Sequence, residues 1–248
     1  MLPVLNVGPF AIQLPGLILL AGIWIGLNRS EAYARRRGMD VEKINALILY
    51  SLLGGLVGAR LGYVAQNLAA FSQKPLDALA LSPQMLDGAS GLVAMLLIGL
   101  IYGQRKHLHL WQTLDALTPA LGVLMMSVAL MNLASGSGFG IPARLPWSIY
   151  LFDEYRHPTQ LYYFGLAVVI WRIVESRPGD FSLPDGKRFL MFVSLSAFAR
   201  IAVDVFRSDR ALIGLGGVGI EQLTAWFILV AAVWLMQRKK TIQTGGKI

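Results

Sequence analysis

The stretch "INALILYSLLGGLVGARLGYVAQN", residues 44–67, decides the fold because it is long, almost entirely apolar and still carries an arginine. A helix needs about 20 mostly apolar residues to cross a membrane. Six further blocks of this kind occur along the chain. We therefore predict seven membrane-spanning helices, at about residues 11–27, 44–66, 86–103, 113–134, 160–175, 189–206 and 220–237.

The composition favours a membrane protein over a soluble one. Hydrophobic residues make up 55% of the 248-residue chain and charged residues 15%, whereas a soluble domain carries about 25% charged residues. Backbone within lipid must form helices or a closed barrel, and the alternation typical of a barrel is absent. A soluble α/β domain would need far more turn residues inside the blocks. We predict an all-α, polytopic integral membrane protein with a single membrane domain over residues 1–248.

The net charge of +8 is distributed unevenly along the chain. Of the 22 lysines and arginines, fourteen fall on one side of the seven predicted spans and five on the other, with Arg60, Arg172 and Arg200 in or near spans. The positive-inside rule then places the C-terminus in the cytoplasm and the N-terminus outside. Because the basic residues do not cluster on one soluble face, we expect the membrane and no nucleic acid as a partner.

Two loops on the predicted outer side, residues 67–88 and 135–159, are long enough to be functional. The aromatic residues of the second loop and just after it suit the interface between membrane and water. These residues are Trp147, Tyr150, Tyr155 and Tyr162. They indicate either a simple anchor or part of a functional surface.

The chain contains no cysteine. It therefore forms no disulfide, offers no thiolate to a metal ion and has no cysteine nucleophile of its own. No spacing of other ligand residues suggests a metal site, and we expect no cofactor.

The helical spacing of residues 44–67 gives the arginine a defined neighbourhood. Residues three, four or seven positions apart share a helix face, so Arg60, Tyr63 and Asn67 lie on one stripe. The opposite stripe consists of Gly54, Gly58 and Gly62. Small residues allow a second helix to approach closely. The arginine stripe should face a polar cavity, because an arginine that faces lipid costs at least about 2.5–3.5 kcal/mol.

A second arginine repeats this pattern in "SAFARIAVDVFRSD", residues 196–209. Arg200 and Asp204 are four residues apart, with Ser196 and Arg207 on the same face, so the carboxylate can neutralise the guanidinium. One interpretation is an internal ion pair that merely permits insertion. The other is a ligand site, because guanidinium groups bind phosphate oxygens in a two-pronged fork. Two arginines among apolar helices would then hold a phospholipid headgroup near the outer leaflet.

Two further polar residues are candidates for the same site. His157 is a candidate general base, because histidine is the side-chain type most often used for proton transfer, or else an interfacial hydrogen-bonding residue. Asn132 lies within the fourth predicted span, where it either links helices or contacts a ligand.

Five short motifs, in order, carry a resemblance to a known family. They are "GARLGYV" (58–64), "TLDALTPAL" (113–121), "HPTQLYY" (157–163), "RIAVDVFR" (200–207) and "GIEQLTA" (219–225). Together they resemble the bacterial prolipoprotein diacylglyceryl transferases. The resemblance implies transfer of a diacylglyceryl group from phosphatidylglycerol to the lipobox cysteine of a lipoprotein precursor. It also implies a location in the bacterial cytoplasmic (inner) membrane, with the active side facing outward.

The resemblance also implies a set of site residues. His157 would be catalytic, and the substrate-binding residues would be Arg60, Tyr63, Asn132, Gln160, Arg200, Asp204 and Gln222. The chain departs from the family pattern at Ala89, in place of a histidine, at Ala129, in place of an arginine, and at Ser137, in place of a glutamate. Two alternatives therefore stay open: a catalytically impaired relative that binds phospholipid or lipoprotein as a partner, and a transferase with another acceptor. A transporter is a weaker alternative, since nothing resembles paired broken helices.

Overall fold

The computed structural model describes residues 4–7, 10–73, 75–79, 85–175, 183–208 and 219–245. Residues 80–84 of the predicted outer loop 67–88 lie outside these ranges. The same is true of four residues that contribute to the predicted charge asymmetry, namely Lys74, Arg177, Arg210 and Lys247.

A helix lies at each of the seven predicted apolar blocks. The helices are α1 (Leu14–Arg36), α2 (Val41–Gln66), the short α3 (Leu68–Gln73), α4 (Gly88–Arg105), α5 (Leu110–Ser135), α6 (Thr159–Val174), α7 (Lys187–Asp204) and α8 (Ile220–Gly245), with a 3-10 helix at Pro75–Leu79. The first helix is longer than predicted, because strong helix formers such as Glu31, Ala32 and Arg35 continue it beyond the apolar block.

Four of these helices, within the described residues, are long and apolar enough to cross a membrane. They are α2, α4, α5 and the Ile220–Arg238 part of α8, with mean hydropathies of 1.6, 1.2, 1.8 and 1.4. Helix α6 is apolar but shorter. The protein is thus a mostly helical membrane protein. The count of seven crossings and the sides of the two termini stay predictions.

The all-α prediction was wrong in one respect, because two short antiparallel hairpins accompany the helices. Strands β1 (Val4–Val7) and β2 (Phe10–Gln13) form one, and β3 (Ile149–Leu151) and β4 (Glu154–Arg156) form the other. Phe152 and Asp153 connect β3 to β4 with positive φ angles of 52° and 60°, which is the geometry of a two-residue hairpin turn. Asn-Gly or Asp-Gly normally marks that turn. The chain has neither at residues 152–153, so the sequence predicts only a loop for this segment.

The described residues fall into two compact units. The smaller unit comprises Ala34–Thr113, and the larger unit comprises the residues up to Tyr33 together with those from Leu114 onward. Whether the whole chain acts as a single membrane domain stays a prediction.

In the smaller unit, α2 packs tightly against α4 through the predicted glycine stripe. A Cβ atom added at Gly58 would overlap Ala94, and one added at Gly62 would overlap Ser90. The close approach of a second helix to this stripe is therefore confirmed.

In the larger unit, α7 packs between α6 and α8. Ile170, Val174 and Ala199 form a buried apolar cluster between α6 and α7. Asp115 of α5 holds the beginning of α7, because its carboxylate accepts hydrogen bonds from the backbone nitrogens of Gly186 (2.6 Å) and Phe189 (2.9 Å). These contacts set the position of α7, which carries Arg200.

Candidate functional site

The larger unit contains a cavity of about 520 Å³ with one apolar and one polar part. The apolar part consists of Leu121, Leu124, Met125 and Val128 of α5 and Phe192 of α7. The polar part consists of Asn132, Ser137, Gln160, Tyr163, Ser196, Arg200 and Arg207, and Ala129 and Gly138 complete the lining. A ligand with an anionic head and hydrocarbon chains would match this division.

The segment after α5 folds back to form one side of the polar part. Gly136 and Gly138 have φ angles of 81° and 65°, a left-handed conformation that glycine adopts without strain. The turn directs its carbonyl groups toward α6, where the Thr159 hydroxyl donates to Gly138 O (2.5 Å) and Gln160 Nε2 donates to Ser137 O (2.9 Å). Gln160 is therefore fixed in position at the cavity.

The remaining polar atom of Gln160 has no hydrogen-bond partner among the described residues. Its side chain is buried, and Oε1 lies unpaired while Nε2 is bound. Buried polar atoms are nearly always hydrogen-bonded, because leaving one unpaired costs about 1–3 kcal/mol. This oxygen is thus suited to accept a hydrogen bond from a hydroxyl group of a ligand.

Two arginines and two carboxylates form a network at the polar end. Arg200 Nε lies 3.3 Å from Asp204 Oδ2, which confirms the predicted pair, and Arg207 Nη1 lies 3.4 Å from Asp204 Oδ1. Glu221, in the first turn of α8, contacts both arginines through Oε2: it pairs with Arg200 Nη2 and lies 2.9 Å from Arg207 Nη1. The Tyr163 hydroxyl donates to Asp204 Oδ1 at 2.5 Å.

The members of this network differ in exposure. The side chain of Asp204 is 2% exposed, whereas those of Arg200 and Glu221 are 42% and 41% exposed. Asp204 is thus the buried anchor of the network. Arg200 and Glu221 lie where a ligand can reach them.

His157 precedes Gln160 by three residues but is not among the residues that line the cavity. Its Nδ1 is 3.1 Å from the Tyr162 hydroxyl, which also accepts a hydrogen bond from Trp147 Nε1 (2.8 Å). The imidazole ring packs against Phe206, with 4.9 Å between the ring centroids. These contacts fix the ring plane of His157.

The other predicted residues of the larger unit have different positions. Asn132 lines the cavity close to the end of α5. Ala129 also lines the cavity, and its methyl side chain provides no hydrogen-bond donor. Gln222 lies half-buried in the first turn of α8 and is not among the lining residues.

Arg60 and Tyr63 belong to the smaller unit. Arg60 is 5% exposed. Its guanidinium group donates to the backbone carbonyls of Asp77 (2.5 Å) and Met85 (3.0 Å). It also lies over the rings of Tyr63 and Phe71, at 5.9 and 5.2 Å from their centroids. Arg60 therefore attaches the segment after α3 to α2.

The beginning of α4 is held in the same unit by Asp87. The side chain and backbone of Ser90 hydrogen-bond to its carboxylate and lower the pKa of Asp87 below its usual value. Its backbone nitrogen donates to Ala59 O at 2.9 Å, so this N-cap also joins α4 to α2.

Tyr163 and Glu221 were not predicted as site residues, and Arg207 was predicted only to share a helix face with Arg200 and Asp204. Tyr163 follows Gln160 by three positions, so helical spacing could have indicated it. Glu221 is the only acidic residue of the last predicted span. An acid at the edge of a span is a signal to seek a basic partner.

Comparison with known proteins extends over nearly the whole chain. The family model described as prolipoprotein diacylglyceryl transferase matches residues 3–238. A phosphatidylglycerol–prolipoprotein diacylglyceryl transferase of a Synechococcus species is 29% identical, over 96% of this chain and 94% of its own length. The proteins of the same name from Trichormus variabilis and a Nostoc species are each 26% identical over 97% of this chain, and over 92% and 91% of their own lengths.

Proposed function

The chain belongs to the prolipoprotein diacylglyceryl transferase family, and on that premise we propose that it transfers a diacylglyceryl group from phosphatidylglycerol to the cysteine thiol of a lipoprotein precursor. The predicted resemblance to this family is thereby confirmed, and the chain is a membrane protein of a transferase family. Location in a bacterial inner membrane, with the cavity serving the outer leaflet, is part of the proposal.

The observation that carries the proposal is the division of the cavity into an apolar part and a polar part that contains two arginines. The apolar residues of α5 and Phe192 would contact acyl chains, while Arg200 and Arg207 would contact the phosphate. Gln160 Oε1 would accept a hydrogen bond from a hydroxyl group of the glycerol headgroup. Each of these contacts matches one chemical part of phosphatidylglycerol.

The reaction requires a bond from sulfur to the terminal glycerol carbon of the diacylglyceryl group. The carbon–oxygen bond to the phosphate breaks at the same carbon, and glycerol phosphate leaves with the bonding electrons. Arg200 and Arg207 would stabilise the negative charge of this leaving group. Asp204, held by Tyr163, would keep both guanidinium groups in position.

The thiol proton must go to a base, and we propose His157 for this role. For Nε2 to accept the proton, Nδ1 must donate to the Tyr162 oxygen, which lies 3.1 Å away. Replacing His157 with alanine should lower turnover by about 10²–10⁴-fold and leave phosphatidylglycerol binding intact. His109, just before α5, provides the matched control for alanine replacement. Unchanged turnover in His157→Ala would rule out this base.

A second candidate function is phospholipid binding without catalysis. Ala129 lines the cavity with a methyl group, where the resemblance implies an arginine, and it implies a histidine where the chain has Ala89. A protein that retains Arg200 and Arg207 but lacks these two groups would still bind the lipid. It would then serve a lipoprotein or another membrane protein as a partner. A transferase with a different acceptor would keep the same cavity.

Mass spectrometry of a lipobox peptide distinguishes these functions. The purified full-length protein is incubated in phosphatidylglycerol micelles with a cysteine-containing peptide, and a peptide with serine in its place is the control. We expect a diacylglyceryl adduct on the cysteine peptide alone, which Arg200→Gln abolishes and Arg29→Gln does not. Bound phosphatidylglycerol without any adduct would favour the binding function or another acceptor.

A further inference from the structure

We propose that the carboxylate of Glu221 occupies the position between Arg200 and Arg207 that the lipid phosphate takes, so that the phosphate must displace it. Glu221 would thereby set both the affinity and the charge selectivity of the cavity for its lipid. This inference rests on the proposed function, since it assumes that the two arginines bind the phosphate of the donor.

The contacts of Glu221 are those expected of a competing anion. A single oxygen, Oε2, pairs with Nη2 of Arg200 and lies 2.9 Å from Nη1 of Arg207. Carboxylate and phosphate oxygens bind guanidinium groups in the same two-pronged geometry. A phosphate oxygen that joined the two arginines would therefore need the space in which Oε2 lies.

The two carboxylates of the network differ in their freedom to leave. Asp204 is almost fully buried, with 2% of its side chain exposed, and the hydroxyl of Tyr163 holds it in addition to the arginines. Glu221 is 41% exposed and lies in the first turn of α8. Its longer side chain has one more rotatable bond than aspartate. Glu221 is thus the carboxylate that an incoming anion can displace.

The structure also provides a place for the displaced side chain. A second cavity of about 250 Å³ lies between α7 and α8, and Glu221 and Thr224 are among its lining residues. Arg200 lines both this cavity and the larger one. Rotation of the Glu221 side chain toward Thr224 would withdraw Oε2 from Arg200 and Arg207, which both line the larger cavity.

The charges of the network predict which lipids it selects. Arg200 and Arg207 carry two positive charges, and Asp204 and Glu221 carry two negative ones. A phosphodiester carries one negative charge, as Glu221 does. Replacing the Glu221 carboxylate with a phosphodiester therefore leaves the net charge around the two arginines, counted over these described residues, unchanged. A phosphomonoester carries up to about two negative charges and would leave an excess of negative charge beside the arginines. The exchange therefore favours a monoanionic phosphodiester such as phosphatidylglycerol.

The test compares phosphatidylglycerol affinity in variants of the full-length protein in neutral detergent. Glu221→Gln removes the competing charge, and we expect a dissociation constant for a short-chain phosphatidylglycerol about three- to tenfold lower than that of the wild type. The matched control is Glu175→Gln, which removes the same charge from the separate ion pair with Arg29 and should leave the affinity unchanged.

A second variant keeps the test decisive if Glu221→Gln does not fold. Glu221→Asp retains the charge but shortens the side chain, so that one oxygen no longer reaches both arginines, and we expect a smaller gain in affinity. An unchanged or weaker affinity in the folded variants would overturn the proposal, since a merely structural Glu221 would weaken binding when it is removed.

Arg200→Gln separates this inference from the proposed function. If Arg200→Gln abolishes phosphatidylglycerol binding while Glu221→Gln leaves it unchanged, the lipid site stands and the competition by Glu221 is refuted. If Arg200→Gln has no effect on binding, the lipid site itself fails and the competition by Glu221 fails with it.

Discussion

Replacing Arg60 with alanine should destabilise the protein strongly and affect lipid binding only weakly. The guanidinium group donates to Asp77 O at 2.5 Å and Met85 O at 3.0 Å, and 5% of the residue is exposed. A hydrogen bond from a charged donor contributes about 1.5–3 kcal/mol. The loss of both, with two backbone carbonyls left unpaired, should lower the free energy of unfolding by about 3–5 kcal/mol. The ring contacts with Tyr63 and Phe71 add about 1 kcal/mol.

The measurement is reversible unfolding in mixed detergent micelles, followed by circular dichroism, together with phosphatidylglycerol affinity. Arg60→Lys keeps the charge but lacks the planar guanidinium group that donates to two carbonyls at once. We therefore expect its free energy of unfolding to fall by about half as much as that of Arg60→Ala. Arg105→Ala, at the exposed end of α4 in the same unit, should change stability by less than about 0.5 kcal/mol.

The opposite result would refute this reasoning. A loss of stability below about 1 kcal/mol in Arg60→Ala, together with a tenfold or greater loss of phosphatidylglycerol affinity, would make Arg60 a phosphate ligand. The family resemblance implies that role, and this comparison decides between it and the structural role.

Three further predictions concern single carboxylates and their donors. Tyr163→Phe should weaken phosphatidylglycerol binding, because Asp204 loses its hydroxyl donor and then pairs more strongly with the two arginines. Equal dissociation constants for the variant and the wild type would contradict this. Asp115→Asn should lower the free energy of unfolding by about 1–3 kcal/mol, because one of the two backbone nitrogens of α7 then faces an amide NH₂; an unchanged denaturant midpoint would show that the carboxylate does not hold α7. The pKa of Asp87 is lowered in the folded state, so its contribution to stability is present above the unfolded pKa of about 3.9 and is lost as the pH falls through the lower folded value. Thermal unfolding should therefore show a steeper loss of stability in this acidic range for the wild type than for Asp87→Asn, and superimposable pH profiles would exclude the cap.

Local features of the fold followed from the sequence. Apolar blocks of helical length coincide with the long helices, because burial of backbone polar groups in lipid leaves few other structures. The glycine stripe around Gly58 and the Arg200–Asp204 pair also followed, since both depend on spacing within one helix.

Contacts between distant parts of the chain did not follow from the sequence. The bond from Asp115 to the start of α7 joins residues more than 70 positions apart, and Glu221 reaches back to Arg200 from the next helix. The partners of Arg60 are backbone carbonyls, which every residue carries. Residue identity therefore gave no sign of them. The β3–β4 hairpin was missed because its turn lacks a glycine and places Phe152, a bulky residue, at a positive φ angle.

Photolabelling tests most directly the central claim that the cavity of the larger unit holds the phospholipid donor. Phosphatidylglycerol with a photoreactive group on an acyl chain is added to the protein in phosphatidylcholine nanodiscs, and the labelled residues are mapped by mass spectrometry. We predict labelling of Met125 and Val128 that excess phosphatidylglycerol suppresses and that Arg200→Gln reduces. Labelling of exposed residues of α4, such as Leu92 and Leu96, should resist both changes. Equal sensitivity of the two helices to competition would contradict a specific lipid site at this cavity.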